Sequence, residues 1–137
     1  MKLKSYSLFC FLLILLFTYT AVSKWLNMEA HLYAIRNQPF SRPVNDFLAH
    51  ALPVTEIITV ILLVIHTSRL WGLYLSLLLM FLFTGYVLAI LLGLFGRIPC
   101  SCGGVIKLLG WKEHLVFNIF FLAISIAAIR LHKHIHA

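Results

Sequence analysis

Four long apolar stretches separated by short polar segments set the pattern of this chain. The first runs from about Tyr6 to Leu26, the second from about Phe47 to Thr67 and the third from about Leu70 to Phe95. The fourth, about Leu115 to Ile129, has polar His114 and Asn118 at its start, and its helix is expected from near Trp111 to about Arg130. Crossing a hydrocarbon layer takes roughly 20 predominantly apolar residues in a helix, and each stretch approaches or exceeds that length. Lipid offers backbone groups no water to bond with, so runs of this kind satisfy their amides internally, as helices. The pattern predicts an all-α protein, an integral membrane four-helix bundle forming one domain over residues 1–137.

Composition agrees with that reading. Of 137 residues, 62% are hydrophobic and 11% charged, with a mean hydropathy of +0.99. Eleven Lys and Arg with four Asp and Glu cannot cover a soluble domain, whereas a lipid-facing surface needs no charge. The net charge of +7 does not point to nucleic acid, because the basic residues sit in short segments between apolar runs. That is where membrane topology and anionic headgroups place them.

The first stretch, with Lys2 and Lys4 before an apolar core and Ala21-Val22-Ser23 near its end, has features of a signal peptide. Its apolar core is longer than such a region needs, which favours a retained helix. Either reading leaves the N-terminus in the cytoplasm, and four spans then return the C-terminus to the same side. Charge counting does not decide the matter. Lys2, Lys4, Arg69, Arg130 and Lys133 fall inside, and Lys24, Arg36, Arg42, Arg97, Lys107 and Lys112 outside. The outer segment from Asn27 to Asp46 is expected to lie in the interface, with Asn45 or Asp46 capping the second span. In the third, Gly85, Ala89, Gly93 and Gly96 form a small-residue stripe suited to close helix packing.

The residues able to carry chemistry gather towards one membrane face. Pro99-Cys100-Ser101-Cys102-Gly103-Gly104 holds two thiols one residue apart. A disulfide across that spacing closes a tight ring, and strain makes it easier to reduce. Three readings of the pair stay open: thiol–disulfide exchange, Cu(I) binding by soft thiolates, and packing. Trp111, His114 and Asn118 share one helical face just after it. His114 could stabilise a thiolate, move its proton or hydrogen-bond a quinone oxygen, or simply satisfy a carbonyl. Glu56 lies inside the second span, where a carboxylate needs a partner, and Lys24 at the end of the first is the expected one. With Tyr19, Ser23 and Tyr86 they would line a polar pocket, or merely fix helix register. Cys10 reads as a packing residue, and His132, His134 and His136 as a solvated basic tail.

These residues form a family pattern: Tyr19…Ser23-Lys24, Pro53-x-x-Glu56, Phe83-Thr84-x-Tyr86, the Pro99–Gly104 run and Gly110-Trp111-x-x-His114-Leu115-x-Phe117-Asn118. The chain resembles, over nearly its whole length, the MauE branch of the DoxX-like membrane proteins, especially small versions found in Bacteroidota. That resemblance implies a redox-associated four-helix bundle in the bacterial inner membrane. The family's namesake serves methylamine dehydrogenase maturation through disulfide formation in the periplasm. Gly103 stands where better-known members often have Phe, and the chain lacks the second Cys pair with which the quinone-linked disulfide oxidases DsbB and vitamin K epoxide reductase relay electrons.

The leading expectation is a membrane thiol–disulfide redox protein. In it Cys100, Cys102 and His114 act at the periplasmic face, a quinone accepts electrons, and the partner is a thioredoxin-like or Cys-containing client. The other expectation is a non-catalytic accessory or assembly subunit binding a partner protein, lipid or Cu(I). A transporter is the weakest class, since no broken-helix pair or inverted repeat is evident. No resident metal is expected in the leading reading.

Overall fold

The computed structural model describes residues 2–36, 40–93 and 111–135. Among these the chain forms α1 (Lys2–Leu26), α2 (Met28–Arg36), α3 (Arg42–Val64), a 3-10 turn (His66–Ser68), α4 (Arg69–Leu91) and α5 (Trp111–Ile135). All but α2 and the turn are long and apolar enough to span a membrane, so the protein is a multi-pass membrane protein with four spans among the described residues. Cys100 and Cys102 lie outside the described residues, as do Arg97, Lys107 and His136.

Helix α1 packs on α3 and α5, and α4 packs on the same two, so the four spans close a ring with α1 opposite α4. Short α2 rests on α3. One end of the bundle holds the starts of α1 and α4 and the ends of α3 and α5; it is called here the N-terminal end. At the other, the α2 end, α1 and α4 finish and α3 and α5 begin. Tyr6, Leu13, Phe17, Leu63, Leu73, Met80, Phe121 and Ile124 fill the core. Phe11, Leu15, Phe81 and Phe120 point outward. Exposed aromatic and aliphatic side chains on every span suit a lipid surround, where an outward Phe has no water to avoid.

Several boundaries differ from expectation for identifiable reasons. Helix α3 starts at Arg42, earlier than the apolar run, because Pro43 in its first turn presets the backbone and loses no needed hydrogen bond. Its N-cap is Ser41, not Asn45 or Asp46. Asn45 is buried and its Nδ2 donates to the carbonyls of Arg36 (3.4 Å) and Phe40 (3.2 Å), fastening the α2–α3 connection. Ser68 Oγ donates to Leu62 O (3.1 Å) and Arg69 Nε to Leu63 O (2.8 Å). Both bonds serve carbonyls that the end of α3 would otherwise leave open. Helix α4 stops at Leu91, short of Phe95, and Gly93 follows with φ +76°, a left-handed turn that glycine adopts freely.

The expected glycine stripe is not the packing seam at Gly85, where an added Cβ would meet open space. Close approach occurs at Gly72: a Cβ there would lie 2.8 Å from Leu63 N, so only glycine lets α4 meet α3 beside their connecting turn. His132 and His134 are likewise not a free tail. They remain helical, and Tyr6 OH is hydrogen-bonded to His132 Nδ1 (2.7 Å) while Lys2 Nζ donates to His134 Nε2 (2.5 Å). Cys10 is buried one turn after Tyr6, in keeping with a packing role.

Candidate functional site

Towards the α2 end, polar side chains from all four spans meet inside the apolar bundle. Lys24 Nζ on α1 donates to Glu56 Oε1 on α3 at 2.6 Å, with Glu56 1% exposed. A side chain on α1 tilts back towards the helix start, which brings the ammonium inward from the end of the span. The same ammonium lies 6.0 Å from the centre of the Phe83 ring on α4, and its charge reaches His114 on α5 and His31 on α2. Thr20, one turn before Lys24, also borders the Glu56 carboxylate. Every helix of the bundle thus faces this one cation.

Depth follows from helical rise. Tyr6, Arg69 and His132 share a level, since His132 bonds Tyr6 and the Arg69 charge acts on it. Thr84 lies fifteen residues beyond Arg69 and Asn118 fourteen before His132. At about 1.5 Å per residue both sit roughly 21–23 Å from that level, and Lys24, eighteen residues beyond Tyr6, roughly 27 Å, with its side chain tilting back towards them.

Hydrogen-bond accounting sets this layer apart. Elsewhere the buried hydroxyls satisfy themselves one turn back: Ser76 Oγ donates to Gly72 O (2.8 Å), Ser125 Oγ to Phe121 O (3.0 Å) and Thr59 Oγ1 to Thr55 O (2.9 Å). Among the described residues Glu56 Oε2, Thr84 Oγ1 and Asn118 Nδ2 are buried and have no hydrogen-bond partner. Those three atoms, on three different helices, offer an acceptor, a hydroxyl and a donor. A buried polar atom left open costs about 1–3 kcal/mol, so each of these atoms is a place where a polar ligand or a water gains a hydrogen bond.

Of the expected pocket residues, the structure pairs Lys24 with Glu56 and sets His114 within reach of the Lys24 charge. His114 is half-buried and Asn118 is 2% exposed, one turn apart on α5. Ser23 is half-buried beside Lys24, and its carbonyl accepts from Asn27 N (3.2 Å). Tyr86 is half-buried against Phe40, ring centroids 5.7 Å apart. Tyr19 faces outward, 52% exposed, so it does not line the interior. Trp111 opens α5, at the end where the helix leaves the polar layer. Cys100, Cys102 and their neighbours fall outside the described residues, between the end of α4 and the start of α5. Among the described residues no group of three His, Cys, Asp or Glu could hold a metal ion.

The contributions of the Phe83-Thr84 pair and of His31 were not expected. Phe83 and Thr84 belong to the Phe83-Thr84-x-Tyr86 run, yet nothing in their spacing marks the Thr84 hydroxyl as unfilled. His31 is the other. Pro53 has no N–H, so the Ala49 carbonyl one turn earlier loses its helical donor. His31, 3% exposed on α2, supplies the missing bond from Nε2 at 2.8 Å. A proline inside α3 and a histidine in the preceding segment were the available signal. Burial pushes the His31 imidazole below its ordinary range, the Lys24 and His50 charges push the same way, and the Ala49 carbonyl opposes them.

Neither a curated protein nor a solved structure matches the chain. A family model does, that described as methylamine utilisation protein MauE, over residues 2–131. That match covers nearly all of the four-span bundle, with every residue of the polar layer inside it, and the chain belongs to the MauE family.

Proposed function

We propose that this protein is a membrane thiol–disulfide redox protein whose Cys100 and Cys102 cycle between dithiol and disulfide. The observation that carries the reading is the polar layer: a buried ion pair and three open hydrogen-bonding atoms at the bundle end where α4 finishes and α5 starts. The chain between those two helices is the segment that bears the cysteines. Oxidising the pair forms one S–S bond and releases two electrons and two protons, and the proton-handling groups His114 and Glu56 belong to the layer nearest that end.

The electron acceptor in this reading is a quinone, and the donor set fits one. Asn118 Nδ2 and Thr84 Oγ1 are free to donate to a carbonyl, and Glu56 Oε2 is free to accept from a hydroxyl. When bound, a quinone would supply the two-electron sink. The chain's own residues do the rest. Lys24 donates to Glu56 Oε1 and orients the carboxyl within the bundle. In this reading His114, within reach of the Lys24 charge, takes the thiol proton. Thiolate is the attacking species in exchange, so a nearby base sets its rate.

In the same proposal the α2 end faces the periplasm, the termini lie on the cytoplasmic side of the inner membrane, and the client is an exported thioredoxin-like or Cys-containing protein. Acid-quenched alkylation of cells tests it. Cys100 and Cys102 are expected to be partly oxidised and to shift towards the dithiol when quinone synthesis is blocked. Cysteines that stay reduced under all conditions would end the reading and leave an accessory subunit.

A further inference from the structure

The N-terminal end carries a second arrangement that redox chemistry does not use. Arg130, Lys133 and His134 fall at i, i+3 and i+4 on α5, so they share a face. Lys2 of α1 joins them through its bond to His134, and Lys4 is exposed in the same first turn of α1. Lys133 Nζ lies 5.8 Å from the centre of the Tyr74 ring on α4, and Tyr74 in turn meets Trp71, ring centroids 6.4 Å apart. Trp71 is 70% exposed. The result is a band of cations running around one rim of the bundle into an outward Trp–Tyr pair.

All four acidic residues lie elsewhere: Glu29 on α2, Asp46 and Glu56 on α3, and Glu113 in the first turn of α5. Uncompensated cations beside an exposed Trp–Tyr pair match the headgroup level of a bilayer, where such rings settle and anionic lipids attract Lys and Arg. We propose that this rim binds anionic phospholipid headgroups, with Lys2, Lys4, Arg130 and Lys133 on the phosphate and Trp71 and Tyr74 at the boundary with the acyl chains. This is independent of the redox reading, since no cysteine or polar-layer residue takes part.

The test is the melting midpoint of the purified full chain in a neutral detergent with added phosphatidylglycerol, phosphatidylcholine of the same acyl chains, or inorganic phosphate. Phosphatidylglycerol is expected to raise the midpoint, the other two to leave it unchanged, and the rise to shrink as salt is added. The quadruple variant Lys2→Gln, Lys4→Gln, Arg130→Gln, Lys133→Gln should lose the response, and Lys112→Gln at the opposite end should keep it. Should the quadruple variant not fold, Lys133→Gln alone is expected to weaken the response. Equal rises with both lipids, a rise with inorganic phosphate, a rise indifferent to salt, or undiminished responses in the Lys2, Lys4, Arg130 and Lys133 variants would overturn the proposal.

Discussion

The two ends of this bundle handle polar groups in opposite ways. At the N-terminal end, Tyr6 meets His132, Lys2 meets His134, and Ser68 and Arg69 close the end of α3. These contacts tie helix ends together, and they lie where water and headgroups are near. Towards the α2 end, polar groups go deeper, include a carboxylate 1% exposed, and leave Glu56 Oε2, Thr84 Oγ1 and Asn118 Nδ2 without a hydrogen bond. A bundle built only for stability would resemble the first arrangement throughout. The second keeps hydrogen-bonding capacity in reserve, which is what a ligand or a travelling proton requires.

Breaking the ion pair should have the largest effect. Lys24→Met strands Glu56 in the bundle and is expected to destabilise by about 3–5 kcal/mol, whereas Lys24→Met with Glu56→Leu should be neutral or stabilising by about 1–4 kcal/mol. Unfolding of the purified variants in detergent measures both. If the double variant were as unstable as the single one, the pair would be a structural tie like those at the N-terminal end.

His31→Ala, which leaves the buried Ala49 carbonyl without its donor, comes next at about 1–3 kcal/mol, and Tyr6→Phe, which removes the bond to half-buried His132, follows at about 1 kcal/mol. The Tyr6 change should leave the cysteine redox state alone. His31 adds a pH signature. Its buried ring resists the proton that an exposed histidine binds below about pH 6.5. Docking of α2 is therefore at full strength above that pH and weakens as the medium falls through the lower pKa of the buried imidazole. Hydrogen exchange in α2 between neutral and mildly acidic pH should show that loosening in the wild type and not in His31→Ala.

The smallest effect on stability is expected from Asn118→Leu, within about 1 kcal/mol, because the Nδ2 it removes has no partner to lose. Its effect on thiol oxidation should nonetheless be clear. That split between fold and chemistry is the sharpest contrast with Tyr6→Phe.

Much of this was legible in the sequence because the bilayer is a demanding solvent. Four runs of about 20 apolar residues have few alternatives to helices, and Glu56 inside such a run had to find Lys24. Surface and seam details were not legible. Gly85 and Gly72 both sit in α4, but only the turn geometry tells which one presses on Leu63. The histidines of the last turn were expected in solvent because their spacing carries no sign of Tyr6 or Lys2, more than a hundred residues earlier. Tyr19 shares a helix with Lys24 yet turns to the outside. Asn118 is buried, as an amide in a lipid-facing helix requires, yet its Nδ2 is open.

The claim on which the functional account rests is that the Lys24–Glu56 layer serves the cysteines rather than the fold. Trapping Cys100 and Cys102 by alkylation in cells that carry Lys24→Met with Glu56→Leu addresses it most directly. The account predicts normally abundant protein with the two thiols held reduced. An oxidised fraction equal to that of the wild type would contradict it.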